Sequence, residues 1–127
     1  MLLYLFMSNI SFDYSNVNIL VTGGTSGIGK AISEAYLASG ANVTITGTKS
    51  SIEDYEDISK EFSYLKLNLE DKTNIDEIKK SIKKLDILIN NGGLSFPDGK
   101  SEDDPDIFDR AVYIPLNSFY RLSNLLQ

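Results

Sequence analysis

The chain contains no cysteine and no histidine. Without cysteine there is no disulfide, no thiolate-held metal and no thiol nucleophile. Without histidine there is no Ser-His-Asp relay and no imidazole metal ligand. Cations are scarce as well: 12 Lys and Arg against 18 Asp and Glu leave a net charge of −6. That balance argues against a surface for nucleic acid or anionic lipid, so neither is expected as a partner. A local anion site stays open, because backbone N–H groups at a helix start bind phosphate without any lysine or arginine. Long apolar runs are missing too. Met1 to Met7 falls short of the ~20 residues a membrane helix needs. The first basic residue is Lys30, so the basic start of a secretory leader is lacking. A cytoplasmic protein is expected, starting at Met1 or Met7.

What is present suits one compact domain: 127 residues, of which 42% are apolar. Strand-like and helix-like segments alternate along it. Val17 to Val21 reads as a buried strand. Ile28, Ala31, Ile32 and Ala35 then repeat at helical spacing, and Gly40 ends that helix. Ala41 to Thr46 is the second strand, rich in β-branched residues. An acidic, weakly helical stretch runs from Ser51 to Glu61, and Tyr64 to Leu69 is the third strand. Thr73 with Asp76 reads as a capping box opening a helix. Ile75, Ile78 and Ile82 mark its buried face, with Lys79, Lys80, Lys83 and Lys84 in its last turns. Asp86 to Asn90 is the fourth strand. A loop rich in Gly, Asp and Pro reaches about Pro105, and a last helix carries Ile107, Phe108, Ala111, Val112 and Leu116. Such alternation means a parallel sheet covered on both faces. Right-handed crossovers give the order 3-2-1-4. The expected fold class is α/β, a Rossmann-type doubly wound parallel sheet that is incomplete. Residues 1–16 form a tail and 17–127 the nucleotide-binding domain.

The run Thr22-Gly23-Gly24-Thr25-Ser26-Gly27-Ile28-Gly29 joins the first strand to the first helix. Glycines there permit positive φ and close approach of a ligand. The helix start points free N–H groups and a positive dipole end at the turn, where a pyrophosphate belongs. Gly24 to Lys30 also fits seven places of a P-loop. The eighth should be Ser or Thr to hold Mg²⁺ and is Ala31, which disfavours a phosphotransferase.

The Thr-Gly-x-x-x-Gly-x-Gly pattern resembles the cofactor turn of the short-chain dehydrogenase/reductase family. A second motif of that family, Asn-Asn-Ala-Gly after the fourth strand, has its counterpart in Asn90-Asn91-Gly92-Gly93. The resemblance runs from about Val17 to the end. It implies that Ser26, Gly27 and Ile28 line a pyrophosphate, that Gly23 and Gly29 permit the turn, and that Thr25 belongs to it. It places Asn68 and Leu69 beside adenine, and Asn91, Gly92 and Gly93 near the nicotinamide ribose. The second strand ends in Gly47-Thr48-Lys49, without the acid that binds both ribose hydroxyls in NAD-selective proteins. Thr48 and Lys49 suit a 2′-phosphate. NADP is therefore expected over NAD, and an Asp at Gly47 is expected to reverse the choice.

The family reaction is hydride transfer between nicotinamide and a carbonyl or alcohol substrate, with a Tyr, a Lys four places later and an upstream Ser. None of the seven tyrosines here has Lys at the fourth place, so no catalytic residue is assigned. The catalytic Ser and Tyr-x-x-x-Lys are expected beyond Gln127. Alignment on Phe108-Asp109-Arg110 also puts Pro115 at the place of a family Asn, and a proline inside a helix is expected to kink it. The alternative is a non-catalytic nucleotide-binding or interaction protein of the same fold. A fourth strand left as an edge and an apolar last helix invite pairing, so a homo-oligomer is expected.

Overall fold

The structure, a computed structural model, describes residues 11–94 and 103–127. The apolar start Met1 to Met7 and the loop residues 95–102 lie outside the described residues.

Four parallel strands form one sheet: β1 (Asn18–Val21), β2 (Asn42–Gly47), β3 (Ser63–Lys66) and β4 (Ile87–Ile89). Their order is β3-β2-β1-β4, as expected for right-handed crossovers. The first and central strand shows why both faces are covered. Ile19 and Val21 belong to one core with Val43 and Ile45, packed by Ile32, Tyr36 and Leu37 of α1 (Gly27–Ala38). Leu20, between them, belongs to the other core, with Ile75 and Ile78 of α2 (Lys72–Ser81) and Leu122 of α3 (Pro105–Leu125). Alternate side chains of a strand point to opposite faces, so an unbroken apolar strand needs a helix layer on each.

The buried face of α1 differs from the expected stripe. Ile28 is 75% exposed, and Ala31 and Ala35 are exposed. The buried residues are Gly29 and Ser33, flanked by half-buried Ile32, Tyr36 and Leu37. Small side chains let this helix lie close to the sheet, so the apolar stripe is not its contact line. Ser33 satisfies its buried hydroxyl on the Gly29 carbonyl at 2.8 Å.

The acidic stretch from Ser51 to Glu61 is not a helix. Its helical part is Ile52–Asp54, a 3₁₀ segment capped by Ser51, followed by isolated turns. Lys60 Nζ takes the carbonyls of Ile52 and Tyr55 at 2.8 and 3.2 Å, and Ile58 and Phe62 pin the segment to the core. The start of α2 is also corrected. Asp71 is the N-cap, accepting from the N–H groups of Thr73 and Asn74 at 2.9 and 3.1 Å. Asp76 instead binds Arg121 of α3, which donates Nε at 2.6 Å. The helix ends at Ser81, so Lys83 and Lys84 follow it.

The last helix runs unbroken through Pro115. One lost backbone bond is tolerated because Ile107 on one side and Ser118 and Leu122 on the other anchor the helix. Phe108, Val112 and Leu116, expected among its apolar residues, are 53%, 50% and 66% exposed. Before β1, Tyr14 donates its N–H to the Ser39 carbonyl at 2.8 Å and packs edge-on against Tyr36 at 4.9 Å. The packed body therefore begins ahead of residue 17. Among the described residues, no helix is long and apolar enough to cross a membrane.

Candidate functional site

All four strands end on the same edge of the sheet, so the segments after them meet there. This is the crevice where open parallel sheets bind ligands. β1 delivers Thr22 to Ser26, β2 delivers Thr48 and Lys49, β3 leads to Asn68 and Leu69, and β4 leads to Asn90 to Gly93.

Thr22 joins the first and last of these. It is fully buried, and its Oγ1 accepts from Asn91 N–H at 3.0 Å and Gly92 N–H at 2.9 Å. Asn91 Nδ2 returns two bonds, to the carbonyls of Thr22 and Gly23 at 3.1 and 3.3 Å. Gly23 N–H donates to Thr46 Oγ1 at 3.2 Å, and Gly24 N–H to the Thr46 carbonyl at 3.1 Å. The turn is thus bonded to the strands on either side of β1.

Two of the turn's glycines are pressed against Asn91 and Gly92 or the turn itself. Gly23 has φ 65°, and a Cβ on it would lie 2.8 Å from Gly92 Cα. A Cβ on Gly29 would run into the Gly23 carbonyl oxygen and Asn91 Nδ2. Gly27 is the opposite case. Its φ is 52°, yet a Cβ there would meet nothing within 4 Å. Room stands open at the first residue of α1. Ser26 is the N-cap in extended conformation and makes no side-chain cap bond. The first intrahelical bond runs from Lys30 N–H to the Ser26 carbonyl at 3.1 Å. The N–H groups of Gly27, Ile28 and Gly29 therefore have no acceptor within the helix. Lys30 itself pairs with Glu34 at 3.8 Å along the helix.

Of the expected site residues, Gly23, Gly29, Asn91, Gly92 and Leu69 come together. A Cβ on Gly92 would lie 3.2 Å from Leu69 Cδ1. Thr25 faces the end of β2, since a Cβ on Gly47 would lie 2.8 Å from Thr25 Cγ2. Asn68, Thr48, Lys49 and Gly93 are exposed at the rim. The Asn68 side chain accepts from Glu70 N–H at 3.0 Å, so it shapes its own loop. Asn90 is half-buried; its Nδ2 donates to Ser123 at 3.1 Å, and its Oδ1 is buried without a partner among the described residues.

Sequence reasoning left Thr22, Thr46, Tyr55 and Tyr64 out of the site. Thr22 opens the motif and could have been found as a hydroxyl between an apolar strand and a glycine. Tyr55 carried no local signal. Burial pushes the Tyr55 hydroxyl up, but hydrogen bonds with Tyr64, the Lys49 amide, Thr25 and Thr48 outweigh it, and its pKa falls below the ordinary phenol value. Tyr64 is pushed well above that value, by burial first and then by the Tyr55 hydroxyl. A cavity of about 550 Å³ between α2 and α3 shares only Leu69 with the expected site residues.

The family model for short chain dehydrogenases matches residues 17–126. An NAD-dependent glycerol dehydrogenase of Listeria innocua serovar 6a is 30% identical over 125 residues, covering 91% of this chain and 48% of that protein. A "Probable NADP-dependent mannitol dehydrogenase" of Yarrowia lipolytica is 34% identical over 111 residues, covering 79% and 40%. Among solved structures, a short chain dehydrogenase from Leptospira borgpetersenii with bound NAD+ matches with a TM-score of 0.68 at 26% identity, covering 90% and 46%. The chain spans about half the length of the curated relatives it matches. The family model covers nearly the whole chain, and the turn and the Asn-Asn motif are bonded to each other as one site: this chain belongs to the short chain dehydrogenase family.

Proposed function

We propose that this chain is the NADP(H)-binding part of a short-chain oxidoreductase acting on a small carbonyl or alcohol substrate. The observation that carries the reading is the start of α1. Three N–H groups without helical acceptors, at Gly27, Ile28 and Gly29, border the open room over Gly27. Such a cradle fits a pyrophosphate. The nicotinamide of a bound cofactor supplies or takes up the hydride.

The chain's own residues do the holding. Ser26, Gly27 and Ile28 bind the pyrophosphate through N–H groups and the uncapped Ser26 hydroxyl, with Thr25 and Gly29 shaping the turn. Asn91 and Gly92, with Gly93 beyond them, border the nicotinamide ribose, and Asn68 and Leu69 border the adenine. Thr48 and Lys49 receive a 2′-phosphate, because no acid stands at the end of β2 to repel it. NADP is the preferred cofactor on that ground. Residues 17–127 act as the nucleotide-binding domain of a cytoplasmic homo-oligomer. Titration of the protein with NADPH, followed by cofactor fluorescence, tests the reading. Binding in the micromolar range supports it, and no binding overturns it.

A second reading, a non-catalytic nucleotide-binding protein of the same fold, is favoured by Pro115. It stands inside α3 at the place of a family Asn and has no side-chain amide to offer a proton relay. The coding sequence that follows Gln127 decides between the two: an encoded Ser and Tyr-x-x-x-Lys there support the enzyme, and their absence supports the non-catalytic reading.

A further inference from the structure

The segment leaving β2 is held by two phenols. Lys49 N–H donates to the Tyr55 hydroxyl at 3.1 Å, and the Lys49 carbonyl accepts from the Tyr64 hydroxyl at 2.7 Å. Both backbone polar groups of one exposed residue are fixed this way. Its ammonium group is fixed too. Lys49 Nζ donates to the Asp54 carbonyl at 2.7 Å and lies 4.7 Å from the centre of the Tyr55 ring. The 3₁₀ turn capped by Ser51 sets Tyr55 in place, and the tyrosine rings lie 5.9 Å apart.

Counting donors shows what Lys49 has to spare. Tyr64 has one hydroxyl proton and spends it on the Lys49 carbonyl. The Tyr55 hydroxyl, which accepts from the Lys49 amide, also lies 3.4 Å from the Tyr64 hydroxyl and meets Thr25 and Thr48. The contact with Tyr64 is long against the ~2.8 Å of a good O–H···O bond, so the amide of Lys49 and the threonines do most of the holding. The Lys49 ammonium has three donors and Asp54 takes one. Two donors of the Lys49 ammonium thus stand at the end of β2.

Position adds the last part. A Cβ at Gly47 would collide with the Tyr55 hydroxyl oxygen. The phenol therefore occupies the start of any side chain that could carry a carboxylate from position 47.

We propose that Tyr55 is a positioning and specificity-determining residue for the adenosine end of the cofactor. Its hydroxyl excludes an acid at position 47, clamps the Lys49 peptide, and leaves the Lys49 ammonium ready for a ribose 2′-phosphate. The inference rests on the cofactor reading above. A lysine free in solvent loses rotamer freedom when it binds phosphate, whereas Lys49 is already held, which favours the phosphorylated ribose.

The probes are 2′,5′-ADP and 5′-AMP, which differ at the 2′-phosphate, titrated calorimetrically into the full chain. Tyr55→Phe removes the hydroxyl and keeps the ring under the ammonium group. It is expected to weaken 2′,5′-ADP on the order of tenfold and to move 5′-AMP less than about twofold. Lys49→Met is expected to give the same selective loss, and the double variant to lose clearly less than the product of the two, which marks Tyr55 as acting through Lys49. An unmoved ratio of the two affinities in folded Tyr55→Phe overturns the inference, as does equal affinity for both probes in the unmutated protein. Should Tyr55→Phe fail to fold, Tyr64→Phe releases the Lys49 carbonyl and is read the same way. Binding of neither probe by the unmutated protein overturns the cofactor reading itself, a different outcome from binding both with an unmoved ratio.

Discussion

Asn91 is bound to Thr22 through both of its nitrogens: the amide N–H reaches Thr22 Oγ1 at 3.0 Å, and Nδ2 reaches the Thr22 carbonyl at 3.1 Å. One buried hydroxyl thus holds the segment after β4 against the segment after β1. Thr22→Val keeps the shape and removes the acceptor shared by the Asn91 and Gly92 amides. Two amides then lose their partner, at a cost of about 2–4 kcal/mol. Thr22→Ser keeps the oxygen and is expected to cost less than about 1.5 kcal/mol for the lost methyl. Urea unfolding of the three proteins checks the difference.

The glycines of the turn separate binding from folding. Gly29→Ala puts a methyl onto the Gly23 carbonyl and Asn91 Nδ2, so it is expected to cost about 1–3 kcal/mol or more. Gly27→Asp meets no protein atom. It is expected to cost only about 1–2 kcal/mol for a non-glycine residue at φ 52°, while abolishing NADPH binding by placing a carboxylate where the pyrophosphate would lie. Thermal unfolding and fluorescence titration of the same samples distinguish the two effects. Normal NADPH affinity in folded Gly27→Asp would remove the pyrophosphate assignment.

Selectivity cannot be reversed where sequence reasoning placed the change. An Asp at Gly47 has no room, because its Cβ meets Tyr55 and Thr25. Thr48 is the next residue and is exposed. Thr48→Asp is expected to turn an NADP preference into an NAD preference, by repelling the 2′-phosphate and accepting from ribose hydroxyls. Lys49→Ala is expected only to narrow it. Dissociation constants for both cofactors on each variant provide the check; an NADP preference that survives Thr48→Asp would contradict the placement of the ribose.

Asp86 ties the start of β4 to β1, accepting from Asn18 N–H at 2.8 Å and Asn18 Nδ2 at 2.9 Å. These bonds, the backbone one first, hold its pKa below the ordinary carboxylate value. The unfolded group titrates near its ordinary pKa of about 3.9. The stabilisation is therefore complete above about pH 4 and is lost as pH falls through the lowered folded pKa. Asp86→Asn is expected to lower the urea midpoint at pH 7 and to flatten its fall below about pH 4. Identical acid profiles for the two proteins would show that the link carries no net stability.

The fold was readable because periodicity and turn chemistry agreed. Ile19, Leu20 and Val21 ran together as a strand buried on both faces must, and the glycines marked the step into α1. Helix faces were harder to read. Gly29 and Ser33 carry little hydrophobic signal, yet they lie against the sheet because they are small, while Ile28 projects into solvent. The start of α2 was misplaced by two residues: Asp71, not Thr73, accepts from the first free N–H groups, while Asp76 pairs with Arg121, 45 residues on and out of reach of any local reading. The glycine motif and Asn91 were legible as a pattern. Tyr55 was not, because its partners Lys49 and Tyr64 sit at unremarkable spacings and meet only once the β2–β3 connection is folded.

Of the four described strands, β1 is synthesised first, and one of its two neighbours, β4, comes fourth. Asp86, which opens the β4 side, lies 68 residues beyond Asn18. At ribosomal rates of about 5–20 residues per second, β1 waits roughly 3–14 s for that neighbour. During the wait it can pair with β2 alone, and the Leu20 side of the sheet gains α2 only shortly before β4 and α3 only after it. The growing chain thus carries an open strand edge and an incompletely covered apolar face for seconds, the kind of surface that makes a nascent chain prone to aggregate.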